Sequence, residues 1–195
     1  MTALKQNIIH ESLKLFSLKG FSNTSMTDIL CESGTSKGGF YNHFKSKEDL
    51  FFQVLEVAKQ IWRQKNMDGL NQIKAPIEKI IRFLENFKDK YLKDAENFPG
   101  GCVFITLSVD LKNQNPHLSK TINTGFKGFK AMLKRLFKQA QENGELKKQT
   151  DIDAVSEIIF SAILGISVTY SLDNSDENLD YSIDSLINYV NSNRN

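Results

Sequence analysis

Between Thr27 and Phe44 the chain reads Thr-Asp-Ile-Leu-Cys-Glu-Ser-Gly-Thr-Ser-Lys-Gly-Gly-Phe-Tyr-Asn-His-Phe, and from Ser36 to Lys47 it carries three lysines and no carboxylate. Hydroxyl, ammonium, phenol and imidazole groups gathered on a short cationic segment are suited to a polyanion. They donate to phosphate oxygens, and the lysines add a salt-dependent attraction. Thr27, at a helix start, can offer its hydroxyl and neighbouring amides to a phosphate. Ser36 and Lys37 are placed to reach base edges or phosphates, Tyr41 and His43 to donate to phosphates, and Lys47 to add a further phosphate contact. Gly38 and Gly39 leave the backbone bare. Two glycines in a short helix cost about 1 kcal/mol each relative to alanine, and a close approach to a duplex accounts for that. Phe40 reads as lying off the usual core face, where it could touch a thymine methyl.

Each residue alone has an ordinary alternative. Thr27 and Ser36 could be simple helix caps, Lys47 a solvated lysine, His43 a surface residue and Tyr41 part of a core; Phe44 reads as core. The arrangement is what singles them out. A helix beginning near Thr27, a turn at Gly34, and a helix capped by Ser36 and running to about Phe44 make a helix-turn-helix, whose second helix enters the major groove.

The elements that would hold this head are helical. Ile9, Leu13 and Phe16, flanked by Leu4, Ile8 and Leu15, predict an amphipathic helix over about 3–18, ended at Gly20. Ser46, with Glu48 and Asp49 behind it, opens a long helix to the mid-60s. The polar stretch 65–74 is the best linker. Pro76 starts a helix whose apolar stripe runs to Tyr91, 97–101 break the chain, and a shorter helix follows over about 102–112. Leu118 to Ala140 mark a long helix. Residues 155–170 form a helix apolar on most sides, which should be buried between neighbours. Residues 173–180 read as an acidic loop, and Leu179 to Val190 as the last helix. No strand-like alternation or internal repeat is present. The predicted fold is all-α.

Composition narrows the function classes. The 195 residues are 40% hydrophobic and 25% charged, as in ordinary globular domains. No apolar run approaches the roughly 20 residues of a bilayer span, and the N-terminus lacks a signal pattern, so a cytoplasmic location is expected. Cys31 and Cys102 are too few for a disulfide framework, and with three scattered histidines they form no metal pattern. No phosphate loop or carboxylate dyad is visible; neither a catalytic residue, a metal site nor a cofactor is expected. The net charge is only +2, so a nucleic-acid footprint must be narrow, and two copies of it would help.

The segment from Ile8 to Leu50 closely resembles the TetR family of bacterial transcriptional regulators. Its marks are Leu15-Phe16, Gly20-Phe21, Thr24-Ser25, Thr27 with Ile29-Leu30, the turn Ser33-Gly34-Thr35-Ser36, and Tyr41-Asn42-His43-Phe44 followed by Lys47 and Leu50. Cys31, Ser33 and Thr35 stand where that family usually has Ala, Ala and Val; Cys31 reads as packing inside its helix. The resemblance implies an N-terminal three-helix DNA-binding domain over 1–47 and a helical effector-binding and dimerisation domain over 48–195. It implies operator DNA as partner, a homodimer through the last two helices, and a small-molecule effector. The DNA-facing set is then Ser25, Thr27, Thr35, Ser36, Lys37, Gly38, Gly39, Phe40, Tyr41, Asn42, His43 and Lys47. Recognition helices of the two copies would stand about 34–36 Å apart or somewhat more.

An apolar effector pocket would draw on Trp62, Phe83, Phe87, Tyr91, Phe98, Phe104, Phe126, Phe129 and Tyr170, although an aromatic stripe at helical spacing is more often packing. Cys102, after Pro99-Gly100-Gly101 at a helix start, sits where a helix dipole favours a thiolate. It resembles cysteines of family members that sense electrophiles or oxidants, and it could also be a small buried hydrophobe. Two other classes compete: a thiol enzyme pairing Cys102 with His117, for which nothing orients the pair, and a helical protein-interaction adaptor, which leaves the bare Gly38-Gly39 tip unexplained.

Overall fold

The computed structural model describes residues 2–195. Nine α-helices follow one another among them: α1 Ala3–Lys19, α2 Met26–Glu32, α3 Lys37–Tyr41, α4 Lys47–Asn66, α5 Pro76–Asn86, α6 Val103–Gln114, α7 Pro116–Glu142, α8 Ile152–Asp173 and α9 Asp176–Ser192. A 3-10 turn at Leu70–Gln72 and a π-helical segment at Phe87–Leu92 complete the order. The one β-type pairing among the described residues is the isolated bridge between Leu146 and Arg194. The chain divides into two compact units. The first holds the residues up to Arg63 and Asp94–Ile122, the second Gln64–Lys93 and Asn123–Asn195.

The first unit is built around α1. Thr2 caps it by accepting from the Lys5 N–H, and Gly20 ends it at φ +79, a conformation glycine adopts freely. Ile8, Ile9, Leu13 and Phe16 of α1, with Ile29, Phe40, Phe44, Leu50, Phe51 and Val54, are buried together as the core. The rings of Phe16 and Phe21 meet edge-on with centroids 5.5 Å apart, and Phe21 meets Phe51 at 5.3 Å. Helix α6 packs along α1. Gly100, just before it, lies so close to the Ser17 carbonyl that a Cβ there would overlap backbone.

The second unit joins α5, α8, α9 and most of α7. Pro76 occupies the first turn of α5, where its missing N–H is no loss. The orphan N–H of Ile77 is taken by Glu145 Oε2 at 3.1 Å. Residues 193 and 194 tie the α7–α8 turn and α5 together: Lys147 N–H donates to the Asn193 carbonyl at 3.1 Å, and Arg194 pairs with Glu78 of α5 at 2.6 Å. Lys88 and Lys93 tie the π-helical segment to Asp180 and Asp176, at 3.1 and 3.3 Å.

Four expectations need correction here. Helix α3 stops at Tyr41 rather than near Phe44, with a turn carrying Asn42 and His43. The expected acidic loop over 173–180 is mostly helix, because Ser175 caps α9 by accepting from the Asn178 N–H and Asp176 and Glu177 suit its positive end. Helix α8 is long and apolar enough by length and composition to cross a membrane. It is also not covered all round: Val155, Ile159 and Ile163 are buried, while Ile158, Val168 and Leu172 are exposed.

Candidate nucleic-acid interface

Local capping places the reading head. Ser25 and Asp28 form a reciprocal capping box at the start of α2: Ser25 Oγ accepts from the Asp28 N–H at 3.1 Å, and Asp28 Oδ2 accepts from the Ser25 N–H at 2.7 Å. Lys19 Nζ donates to the same Asp28 oxygen at 2.8 Å. That hydrogen bond first, and the Ser25 backbone second, pull the Asp28 carboxyl down to about 2. An acid at the start of α2 is thereby paired with a lysine. Gly34 turns the chain at φ +61. Asn7 of α1 braces that turn, donating from Nδ2 to the Ser33 carbonyl at 2.9 Å; sequence reasoning missed it, since an exposed asparagine on an amphipathic helix carries no signal.

Ser36 caps α3, its Oγ accepting from the Gly39 N–H at 3.1 Å. Ser25, Thr27, Ser36, Lys37, Gly38, Tyr41 and Asn42 are all exposed; Thr35, Gly39 and His43 are half-buried. Tyr41 keeps half its surface free (50%) while its ring packs edge-on against Phe40 at 5.3 Å. The two glycines differ. A Cβ on Gly38 would have nothing nearer than Ser36 Oγ at 3.9 Å, whereas one on Gly39 would overlap Thr35 Oγ1 and force that hydroxyl to move. Gly39 is favoured by its neighbour; Gly38 is bare without an internal reason.

Two expected contact residues are not on this surface. Phe40 is fully buried, its ring 5.2 Å from that of Phe44. The Phe44 N–H donates to the Phe40 carbonyl at 3.0 Å, so the turn after α3 carries both rings into the same core, a pairing that the reading of Phe44 as core already hinted at. Lys47 points inward: its ammonium donates to the Phe21 carbonyl and sits over the Phe21 ring, 4.1 Å from the centroid. Burial lowers the affinity of that ammonium for its proton, and the field of Asp110 is the largest opposing influence. Cys31, expected to pack inside α2, is exposed.

The expected effector residues fall in both units. Phe83 of α5 and Phe87 and Tyr91 of the π-helical segment are buried in the second unit, with successive centroids 6.3 and 5.7 Å apart. Phe129 of α7 meets Phe83 at 5.1 Å, and Phe160 of α8, which sequence reasoning passed over inside an apolar run, links Phe129 to Phe126 at 5.8 and 6.1 Å. These six rings form one continuous chain. Trp62, Phe98, Cys102 and Phe104 belong to the first unit. Tyr170 donates its hydroxyl to Asp176 at 3.1 Å; desolvation, then that carboxylate, raise its pKa. Cys102 stands at the N-cap of α6, half-exposed. An open groove between α8 and α9 is lined by Ala162, Gly165, Ile166, Thr169, Tyr181, Ser182, Ser185 and Leu186.

Comparison with known proteins places this geometry. Residues 8–54 match the family described as bacterial regulatory proteins, tetR family, and residues 76–186 match the tetracyclin repressor-like C-terminal domain. The HTH-type transcriptional regulator QacR of Staphylococcus aureus is 28% identical over 169 residues, covering 86% of each chain. Among solved structures, a TetR transcriptional regulator from Chloroflexus aurantiacus superposes with a TM-score of 0.88 at 23% identity, covering 98% of this chain and 96% of that one. A cysteine mutant of the TetR-family regulator CifR, complexed with 26-bp double-strand operator DNA, superposes at 0.83 with 15% identity and 94% coverage of both. The C-terminal match alone spans over half the sequence, and the chain belongs to the TetR family: it is a DNA-binding transcriptional regulator with an N-terminal helix-turn-helix and a helical C-terminal domain.

Proposed function

We propose that the protein is a homodimeric, cytoplasmic repressor that holds a near-palindromic operator with two α3 tips and is released by a small hydrophobic effector. Functionally the division lies near residue 47, with 1–47 reading DNA and 48–195 sensing and dimerising. The observation that carries the DNA reading is the α3 tip itself. Ser36, Lys37, Gly38, Tyr41 and Asn42 stand exposed on a rigid aromatic core, with no carboxylate among them. Thr27 lies at the start of α2, where a phosphate is favoured, and Ser25, Thr35, Gly39 and His43 complete the rim.

The apolar surface of α8 supports the dimer. Ile158, Val168 and Leu172 of α8 are exposed, as is Tyr181 of α9, which lines the open groove, and a second copy packed on α8 and α9 would cover such apolar surface with two-fold symmetry. That also accounts for the bilayer-like hydropathy of α8. The ring chain from Tyr91 to Phe126 supports an aromatic or otherwise hydrophobic effector, because Phe126 and Phe129 at its α7 end are only half-buried. The protein binds and releases DNA and does not turn over a substrate. Differential affinity of the effector for two arrangements of the heads, worth about 1–3 kcal/mol, would shift operator occupancy usefully.

A gel shift with DNA flanking its own gene tests the proposal. Wild-type protein retards the fragment in a salt-sensitive way, and Tyr41→Ala weakens retardation about tenfold or more with its helical content unchanged, as expected for a lost charge-assisted contact. A monomer indifferent to every promoter fragment at low ionic strength would overturn it.

A further inference from the structure

Phe21 and Ser22 share one peptide group, and charged side chains from two other helices hold both of its polar atoms. Its carbonyl oxygen accepts from Lys47 Nζ, in the first turn of α4; its N–H donates to Asp110 Oδ2, on α6, at 2.8 Å. The ion pair is thus bridged by a peptide, ammonium to C=O and N–H to carboxylate. Charge at both ends polarises the group, which makes such bonds shorter and stronger than neutral ones.

The surroundings leave little slack. A Cβ on Gly20 would stand 2.9 Å from Asp110 Oδ2. Ser17 receives α6 at a second point: its Oγ accepts from the Gly100 N–H at 3.3 Å, and its carbonyl accepts from Thr106 Oγ1 at 3.4 Å. Helix α6 is therefore splinted to the end of α1 and to the turn that leads into α2. Lys47 brings in α4 immediately after the α3 turn. Both α4 and α6 lead along the chain toward the second unit, α4 directly and α6 through α7.

We propose that Lys47 and Asp110 are positioning residues for operator binding, acting on α3 through the Phe21–Ser22 peptide and not on the DNA. The pair fixes the turn before α2 relative to α4 and α6, so a displacement of either helix is felt at the reading head. This rests on the head being the DNA-binding element.

A double-mutant cycle with Asp110→Asn and Lys47→Met tests it. Asparagine keeps the shape without the charge, and methionine keeps an apolar stem over the Phe21 ring. Each single variant weakens operator binding by about 3- to 30-fold, and the double variant is no weaker than the worse single, the non-additivity of a shared network. The salt dependence separates positioning from contact. Removing a phosphate-contacting lysine lowers the slope of log affinity against log salt by about 1 per contact, whereas Lys47→Met leaves that slope as in wild type. A slope reduced by about one, additive losses, or wild-type affinity in Asp110→Asn each overturn the proposal. Should Asp110→Asn fail to fold, the slope of Lys47→Met decides alone. Should the wild-type protein bind no operator, the family-based function fails first. The bridge is then tested in the free protein by hydrogen exchange of the Ser22 amide, which speeds up in Lys47→Met if the bridge exists and is unchanged if it does not.

Discussion

The tip of α3 and the face of α8 both present a helical glycine to open space, and they differ in everything around it. Gly38 has nothing closer to a would-be Cβ than Ser36 Oγ at 3.9 Å, and Gly165 has nothing within 4 Å. Gly39 and Gly100 are different, because their own neighbours leave no room for a Cβ. A glycine that packing demands is explained inside the chain. One standing open in a helix, at about 1 kcal/mol relative to alanine, has no reason in the packing of its own chain; Gly125 and Gly128 of α7 are open in the same way, so it is the surrounding side chains that distinguish one open glycine from another. Around Gly38 the neighbours are Lys37, Ser36 and Asn42, which suit a polyanion; around Gly165 they are Ile166, Leu186 and Tyr181, which suit an apolar partner. On the proposed reading, one surface is fitted to DNA and the other to a second copy of the chain.

The comparison breaks most sharply at Gly165. Replacing it with arginine removes a helix-weakening residue, and the new Cβ has no atom within 4 Å, so the backbone of α8 should tolerate it. The arginine does obstruct and charge the α8–α9 groove. Sedimentation should then give a monomer, and operator affinity should fall by at least about 100-fold, because two tethered heads exceed one by about 100- to 10,000-fold in avidity. A Gly165→Arg protein that sediments as a dimer would remove the α8 face from the interface.

A smaller effect with two opposite signs is expected at the other end. Gly38→Ala should raise stability by up to about 1 kcal/mol, as the helix propensities dictate. It should also weaken operator binding by about tenfold, or about 1.4 kcal/mol, because the added methyl stands where the backbone approaches the groove. Gly39→Ala should instead lower stability, since its Cβ must displace the Thr35 hydroxyl. Thermal melts and operator titrations on the two variants separate the roles that a pair of adjacent glycines leaves merged. Equal behaviour of the two would mean that the tip is not pressed against DNA.

What the sequence made legible follows the range of the interactions involved. The helix-turn-helix was readable because its determinants are local: Ser25 and Ser36 cap, Gly34 turns, and Phe40 with Phe44 face one way. The early end of α3 was not, because no glycine or proline follows Tyr41 to stop it. Lys47 read as a phosphate ligand because its partners, the Phe21 carbonyl and Asp110, lie 26 and 63 positions away, and no periodicity carries such a pairing. The α9 start was lost in a run of acids that is a good first turn once Ser175 is seen as its cap. In the second unit, hydrophobic stripes located the helices but left open which aromatics meet. Phe160 joins the ring chain only through the way α8 lies on α7.

The smallest effect concerns what steadies the head without touching a partner. Asp28 is held down to about 2 by Lys19 and the Ser25 N–H, against an unfolded value near 3.9. A carboxyl with a depressed folded pKa contributes stability above the unfolded value and loses it as pH falls, because the unfolded chain takes up the proton first. Stability of the first unit should therefore be level above about pH 4 and decline from there toward pH 2. Asp49, lowered by the Lys45 N–H and Gln53, adds to the same slope. Asp28→Asn removes its own share, so the variant's thermal midpoint should fall less steeply than the wild type's between pH 4 and 2. The size is modest because both members of the Lys19–Asp28 pair face water. Parallel curves for the two proteins would show that Asp28 serves α2 only as a neutral cap, leaving the α3 tip to rely on Ser36 and the aromatic core beneath it.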